Sequence, residues 1–314
     1  MVNFRFEKCT WGRDRLARLK KWIKPYFEGL SIDGIDEVVI IINKPDFLVR
    51  EELSHYESKE RTEEQFKYLQ ARWDMHNVRG LVMETGPRNY ILVKDSASIG
   101  SIRVGIPHEL AHFIVGPFTD RERMLISDAV HKWVVKNMGL PKRDPVVWSI
   151  LDLHIDTILM LNEELAAEYA LGQRWPEIVN ARLKLERGTI SSNIEEYRKV
   201  MRKAIRKYPG GITMGMVDRG EGRELIHAKA LEVTLTFVAV TGPLMSAMLT
   251  GSLADPRIRK FLNEVESLLP THVYDEIIAF LKAVGPDLKK YRTPSVDNAV
   301  EISTMVLQLL DELF

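Results

Sequence analysis

The sequence has very little cysteine and no excess of either charge. A single cysteine, Cys9, in 314 residues excludes an intramolecular disulfide and a zinc cluster built from thiolates. Lysine plus arginine and aspartate plus glutamate number 44 each, so the net charge provides no general attraction to nucleic acid. A bound metal ion would therefore need histidine and carboxylate ligands, and nucleic acid is not favoured as a partner.

Long apolar runs are missing as well. The most apolar stretch, LTFVAVTGPLMSAML at 235–249, is interrupted by Gly242 and Pro243 and is shorter than the roughly 20 residues of a membrane-spanning helix. The first residues, MVNFRFEKCTWGRDRLARLKK, lack the apolar segment and the cleavage site of a secretory signal. We therefore expect no membrane span and a cytoplasmic location.

The first third of the sequence combines helical and strand patterns. Residues 11–28 are amphipathic at helical spacing, and EVVIIIN at 37–43 is a β-branched run typical of a buried strand. GLVMET at 80–85 and NYILVK at 89–94 are two further strand-like runs, and the GPR between them predicts a β-hairpin. These patterns indicate a small mixed sheet with helices around it.

From Asp120 onward the pattern is almost wholly helical. We therefore expect an α+β fold in two parts: residues 1–118 with the small twisted sheet, and residues 119–314, mostly α-helical. Thr119 or Asp120 is expected to cap the first helix of the second part. The predicted helices of this part span 120–138, 146–174, 176–187, 192–207, 224–240, 256–269, 272–284 and 294–313.

The segment GIPHELAHFIVG, at 105–116, carries the pattern H-E-x-x-H. On a helix, His108 and His112 lie one turn apart on the same face and can bind one ion. Glu109 lies about 100° around the helix, where it can reach a water molecule on the metal without binding the metal itself. Pro107 suits a first helical turn. The segment predicts a zinc site with a catalytic carboxylate.

A buried helix with two hydrogen-bonded histidines is the alternative interpretation. The flanking residues are apolar, so the helix is expected to be buried. Burying two histidines and a glutamate without a ligand would strand polar groups at a cost of about 1–3 kcal/mol each. The metal site is therefore the favoured prediction.

HELAH, preceded by GLVMETGPRNYILVK, resembles the active-site helix of zincin metallopeptidases, and the resemblance covers about residues 35–175. It implies a small twisted sheet above the helix, one zinc ion per chain, and a peptide or protein substrate bound along the edge strand. By this resemblance NYILVK is the candidate edge strand. The metzincin branch is excluded, because Gly116 follows His112 by four residues rather than three and Thr119 stands near the position of its third histidine.

In the gluzincin branch the third ligand is a glutamate on a following helix, and NEELAAEYA at 162–170 resembles that segment. A register that starts at Glu163 matches the family's alanine and aromatic positions but has Ala167 where the family has Asp or Asn. A register that starts at Glu164 matches Ala167 and places Glu168 one turn on, but loses the aromatic position. These residues alone do not decide which of the two registers, and so which glutamate, supplies the third ligand.

A helical wheel favours Glu163 over Glu164. Asp152, Asp156 and Glu163 fall within about 40° of one another at 100° per residue. We therefore predict Glu163 as the third ligand, with Asp156 or Asp152 orienting a histidine. Glu164 is the alternative, and an aspartate ligand from the 152/156 pair or a later histidine, His131 or His154, also remains open.

These features predict a zinc-dependent hydrolase, most simply a metallopeptidase in which Glu109 acts as general base and then as general acid. Tyr169, His227 and Arg223 are candidates for stabilising the oxyanion. A zincin-like binding or regulatory protein, whose metal only stabilises the fold, is the alternative function. Action at DNA, suggested by the basic helix at 11–28, is disfavoured by the balanced charge.

Overall fold

The computed structural model describes residues 1–55, 66, 69–70, 73, 77–81, 83, 87–137, 161–207, 209, 244, 247–248, 256–269 and 271–309. The chain divides into two compact units, Met1–Pro117 and Phe118–Phe314. A four-stranded mixed sheet and many helices give the α+β fold predicted from the sequence. Within the described residues, every helix is too short or too polar to cross a membrane.

The first unit is built on a sheet with the strand order β1-β2-β4-β3. The strands are β1 (Asn3–Glu7), β2 (Glu37–Asn43), β3 (Val78–Leu81) and β4 (Arg88–Lys94). The strands β1, β2 and β4 are parallel, and β3 is antiparallel to β4. The predicted hairpin is therefore the β3–β4 pair. The sequence analysis missed β1, because its two phenylalanines alternate with polar residues over only five positions.

The described sheet has two edge strands, β1 and β3, and β3 is the edge strand beside the motif helix, Ile99–Val115. The prediction that NYILVK forms the edge was therefore wrong. NYILVK belongs to β4, which pairs with β2 on one side and with β3 on the other. Ile91, Leu92 and Val93 in this strand are completely buried, as expected for a strand covered on both faces. A hairpin pattern shows that two strands are neighbours, but it does not show which of them meets the rest of the sheet.

Helices cover the two faces of this sheet. The helix Pro45–His55 and the helical residues Leu69 and Trp73 form one layer with Val39, Ile41 and Leu92. The helix Ile99–Val115, called the motif helix below, contacts β3, β4 and the helix Arg13–Phe27. Because side chains alternate along a strand, Val78 and Gly80 of β3 meet the motif helix, whereas Arg79 and Leu81 meet the other layer.

A buried ion pair ties β3 to the layer opposite the motif helix. Glu52 is wholly buried, and its Oε1 lies 2.9 Å from Nη2 of Arg79, whose side chain is 12% exposed. The indole Nε1–H of Trp73 donates to the other carboxylate oxygen at 2.9 Å. Both oxygens of this buried carboxylate are thus engaged, as buried charges require.

We expect Glu52→Ala to lower the free energy of unfolding by about 3–5 kcal/mol, because it removes the wholly buried carboxylate that pairs with Arg79 and accepts the Trp73 indole N–H. Glu28→Ala is the matched control, since Glu28 pairs with Lys24 on the exposed surface and such pairs contribute about 0–1 kcal/mol. Urea unfolding monitored by circular dichroism measures both changes. Equal changes in the two variants would contradict the structural role given to Glu52.

The second unit is helical in its described residues. Residues 161–174 are helical, and the 3-10 turn Gly285–Arg292 precedes the last helix. The large buried cluster of this unit includes Ile126, Leu165 and Phe280. The remaining helices are Asp120–Asn137, Pro176–Lys207, Pro256–Leu268, Thr271–Val284 and Val296–Leu309.

Two predicted details of this unit can be compared with the structure, and one of them differs. The helices predicted at 176–187 and 192–207 form one continuous helix, Pro176–Lys207, so Gly188 does not interrupt it. The predicted cap at Thr119 is confirmed: the Thr119 N–H donates to Glu122 at 2.8 Å, and the Glu122 N–H donates back to the Thr119 hydroxyl at 3.3 Å. The Thr119 hydroxyl also donates to the Glu122 carboxylate, at 2.7 Å. The bond from the Thr119 backbone N–H first, and then the bond from its hydroxyl, lower the pKa of Glu122.

Candidate metal site

The H-E-x-x-H residues lie in the second half of the motif helix. This helix begins after Ser98, whose hydroxyl accepts a hydrogen bond from the Ser101 N–H at 3.0 Å, and it ends at Gly116, which has a positive φ of 74°. Pro107 lies in the interior of the helix, so its predicted place in a first turn was wrong. The helix extends farther back than predicted because the stretch after Ser98, IGSIRVGI, continues the buried apolar face.

The two histidines of the motif face each other. Their Nε2 atoms are 3.2 Å apart, and their rings are perpendicular with centroids 4.7 Å apart. His108 is buried and His112 is half-buried. The predicted one-turn spacing thus places both imidazoles at a single point on the helix face.

Glu109 lies against the edge strand. Its carboxylate is so close to the backbone of Gly80 that a Cβ atom built on Gly80 would be 2.8 Å from Glu109 Oε2. The same Cβ would be 2.9 Å from Cε1 of Phe113, one turn farther along the motif helix. The side chain of Glu109 is half-buried. The carboxylate beside the first histidine therefore lies next to the glycine of β3.

Glu164 is the candidate for the third, carboxylate ligand. It lies in the helical residues 161–174 of the second unit, and its side chain is half-buried. Two nitrogen ligands at roughly 2.0–2.1 Å from a tetrahedral zinc ion are about 3.4 Å apart. The 3.2 Å separation of the two Nε2 atoms is close to that value. Two imidazoles and one carboxylate are also a donor set that zinc accepts in catalytic sites, so these residues fit the ion.

Glu163, the glutamate favoured by the helical wheel, has other partners. Its Oε1 accepts hydrogen bonds from the backbone N–H of Phe118 at 2.8 Å and from Nη2 of Arg123 at 2.7 Å. The wheel could not foresee this, because Arg123 comes from the helix Asp120–Asn137 and no periodicity links it to residue 163. Consecutive residues of a helix point in directions about 100° apart around its axis, so Glu163 and Glu164 lie on different faces.

Three other candidate residues lie on described helices of the second unit. Tyr169 is half-buried and lies about 140° around its helix from Glu164. Glu168 forms a buried ion pair with Arg182. His131 lies on the helix Asp120–Asn137. The candidates Asp152, His154, Asp156, Arg223 and His227 lie outside the described residues.

No protein-family model matches the chain. Neither a curated protein nor a solved structure matches it significantly. The HELAH segment is therefore not accompanied by a match to a zincin metallopeptidase, and the function is inferred from the residues of this chain.

Two residues that shape the site were missed by the sequence analysis. Gly80 was assigned only to a hairpin strand, although an isolated glycine within a strand is a recognised sign of close approach by another group. Arg123 occurs in a charged run, TDRERM, that carries no mark of a buried partner. The role of Gly80 could have been suspected from the sequence, and that of Arg123 could not.

Proposed function

We propose that this protein is a zinc-dependent hydrolase that acts on peptides, with His108, His112 and Glu164 as the metal ligands. The observation that carries the proposal is the 3.2 Å separation of the two imidazole Nε2 atoms in the H-E-x-x-H helix, close to the spacing of two nitrogen ligands on one zinc ion. Glu164 is proposed as the third ligand because its neighbour Glu163 is engaged by Arg123 and by the Phe118 N–H. The zincin resemblance of HELAH, and the antiparallel edge strand beside the motif helix, support the same proposal.

Glu109 is the proposed general base. Zinc, when bound, lowers the pKa of a coordinated water and polarises a substrate carbonyl. Glu109 follows the ligand His108 directly but is rotated by about 100°, so its carboxylate lies beside the ligand group without joining it. From that place it accepts a proton from the attacking water and returns it to the departing amine. This carboxylate lies on the side of the edge strand, where a Cβ built on Gly80 would be 2.8 Å from its Oε2.

The edge strand β3 is the proposed binding surface for the peptide backbone. Among the described residues, β3 pairs with β4 alone, so the N–H and C=O groups on its outer edge face no other strand. An extended peptide can add to such an edge through main-chain hydrogen bonds. Because Gly80 lies in β3 with the Glu109 carboxylate next to it, a peptide on this edge would pass close to the general base.

The two neighbouring glutamates give a matched test of the ligand set. Glu164→Ala is expected to lower zinc affinity by at least about 100-fold and to abolish peptide hydrolysis, because it removes one of three ligands. Glu163→Ala removes a carboxylate of equal size from the adjacent position and is expected to keep the zinc, because Glu163 bonds to Arg123 and Phe118.

Both properties are measured on the purified full chain. Zinc affinity follows from competition with a chromophoric chelator, and hydrolysis follows from mass spectrometry of a mixed peptide library after incubation. Loss of zinc in Glu163→Ala with retention in Glu164→Ala would overturn the ligand assignment. A zinc-loaded wild type that cleaves no peptide, and whose zinc only raises thermal stability, would instead establish the non-catalytic alternative.

A further inference from the structure

Successive residues of the edge strand β3 face opposite sides of the sheet, and Gly80 is on the side of the motif helix. Arg79, the preceding residue, is anchored by Glu52 in the layer on one face of the sheet. Gly80 faces the motif helix, where the atoms nearest to its position are Oε2 of Glu109 and two ring carbons of Phe113. The absence of a side chain at position 80 therefore leaves the space that the Glu109 carboxylate occupies.

We propose that Gly80 is a positioning residue that sets the location of the Glu109 carboxylate relative to the metal ligands. This inference rests on the proposed function and adds to it a residue outside the H-E-x-x-H motif. Its backbone φ is not in the left-handed region, so backbone conformation does not require glycine here. What requires glycine is the close approach of the motif helix.

An added methyl group at position 80 would act mainly on Glu109. The ring of Phe113 is 3% exposed and packed in the core, so it has little room to move. The carboxylate of Glu109 is the free end of a flexible, half-buried side chain, so it yields first. Arg79 restrains β3 from withdrawing, because its ion pair with Glu52 fixes the strand from the opposite face. A displaced general base is therefore the expected consequence of Gly80→Ala.

Gly105 provides a matched control in the same contact between helix and strand. A Cβ built on Gly105 would be 2.7 Å from the Cβ and Cγ2 atoms of Val78, so Gly105→Ala crowds β3 as severely as Gly80→Ala does. The atoms that it crowds are those of an apolar side chain and do not include Glu109. A difference between the two variants therefore reports on the carboxylate and not on packing in general.

We expect Gly80→Ala to keep one zinc per chain and to lower kcat about 10- to 100-fold, with KM within about twofold, because a displacement of about 1 Å in a reacting group costs up to about 100-fold. Gly105→Ala is expected to keep kcat within about threefold. The visible absorption of the Co²⁺-loaded protein, recorded at one pH, gives a readout independent of turnover. The Co²⁺ absorption spectrum of Gly80→Ala should differ from that of the wild type, and the spectrum of Gly105→Ala should match it.

A double-mutant cycle with Glu109→Asp separates positioning from general loss of structure. Aspartate is one methylene shorter, so its carboxylate is not crowded by an alanine at position 80. The fold-loss in kcat caused by Gly80→Ala should therefore be smaller in the Glu109→Asp background than in the wild type.

The outcomes distinguish this inference from the proposed function. Equal kcat losses in Gly80→Ala and Gly105→Ala, or an unchanged kcat and Co²⁺ spectrum in Gly80→Ala, would overturn the positioning role while leaving the zinc hydrolase intact. A wild-type chain that binds no zinc would overturn the proposed function, and the positioning role with it. Thermal unfolding of each variant verifies that the fold is retained.

Discussion

Glu109→Gln is expected to lower kcat/KM for peptide hydrolysis by about 10²- to 10⁴-fold while the protein keeps one zinc per chain. Glutamine has nearly the same shape as glutamate and can occupy the same space beside Gly80 and Phe113. It has no carboxylate to accept a proton from the attacking water, so only the chemical step is affected. Zinc should be retained because Glu109 is not among the three proposed ligands.

Glu163→Gln is the control for this substitution, because it replaces another half-buried carboxylate with an amide. Its partners are Arg123 and the Phe118 N–H, so we expect kcat/KM within about twofold of the wild type. Hydrolysis of a peptide selected from the library cleavages, measured at saturating zinc, gives both values. An unchanged kcat/KM in Glu109→Gln would remove Glu109 from the mechanism.

His112→Ala is expected to remove zinc from the purified protein and all zinc-dependent hydrolysis with it. The substitution deletes one of the two imidazole nitrogens that lie 3.2 Å apart, and a catalytic zinc site holds only three protein ligands. His112 is half-buried, so its truncation leaves a smaller packing defect than truncation of the buried His108 would. Elemental analysis after dialysis against zinc-free buffer measures the loss.

The control for His112→Ala is His131→Ala, which truncates another half-buried histidine on the helix Asp120–Asn137. This variant should keep about one zinc per chain. The thermal unfolding midpoints of the two metal-free variants are then compared. The comparison tests whether the two truncations perturb the fold similarly. Retention of a full zinc in His112→Ala would show that the motif histidines do not hold the ion.

The part of the site that lies within one helix could be predicted from the sequence. A spacing of four residues places His108 and His112 on one face whatever the rest of the fold does, and the structure has them there. Likewise, the β-branched run at 37–43 gave the bounds of β2 correctly, because a continuous apolar run is typical of a strand buried on both faces.

The part that depends on pairing between distant elements could not be predicted. Glu163 and Glu164 differ by a rotation of about 100° around their helix, and our proposal of Glu164 depends on where Arg123 and Phe118 lie beside Glu163. The edge strand was misassigned for a similar reason, since the hairpin pattern of β3 and β4 does not reveal that β2 pairs with β4. Local periodicity determines which face a residue occupies, and only the tertiary structure determines what meets that face.

The measurement that tests the central claim most directly is the zinc content of the wild-type chain. The protein is purified without chelators, supplied with zinc at neutral pH, dialysed, and analysed for metal and protein concentration. We expect about one zinc per chain, bound by His108, His112 and Glu164. A wild type that retains no zinc under these conditions would contradict the claim, and HELAH would then be a core helix with two hydrogen-bonded histidines.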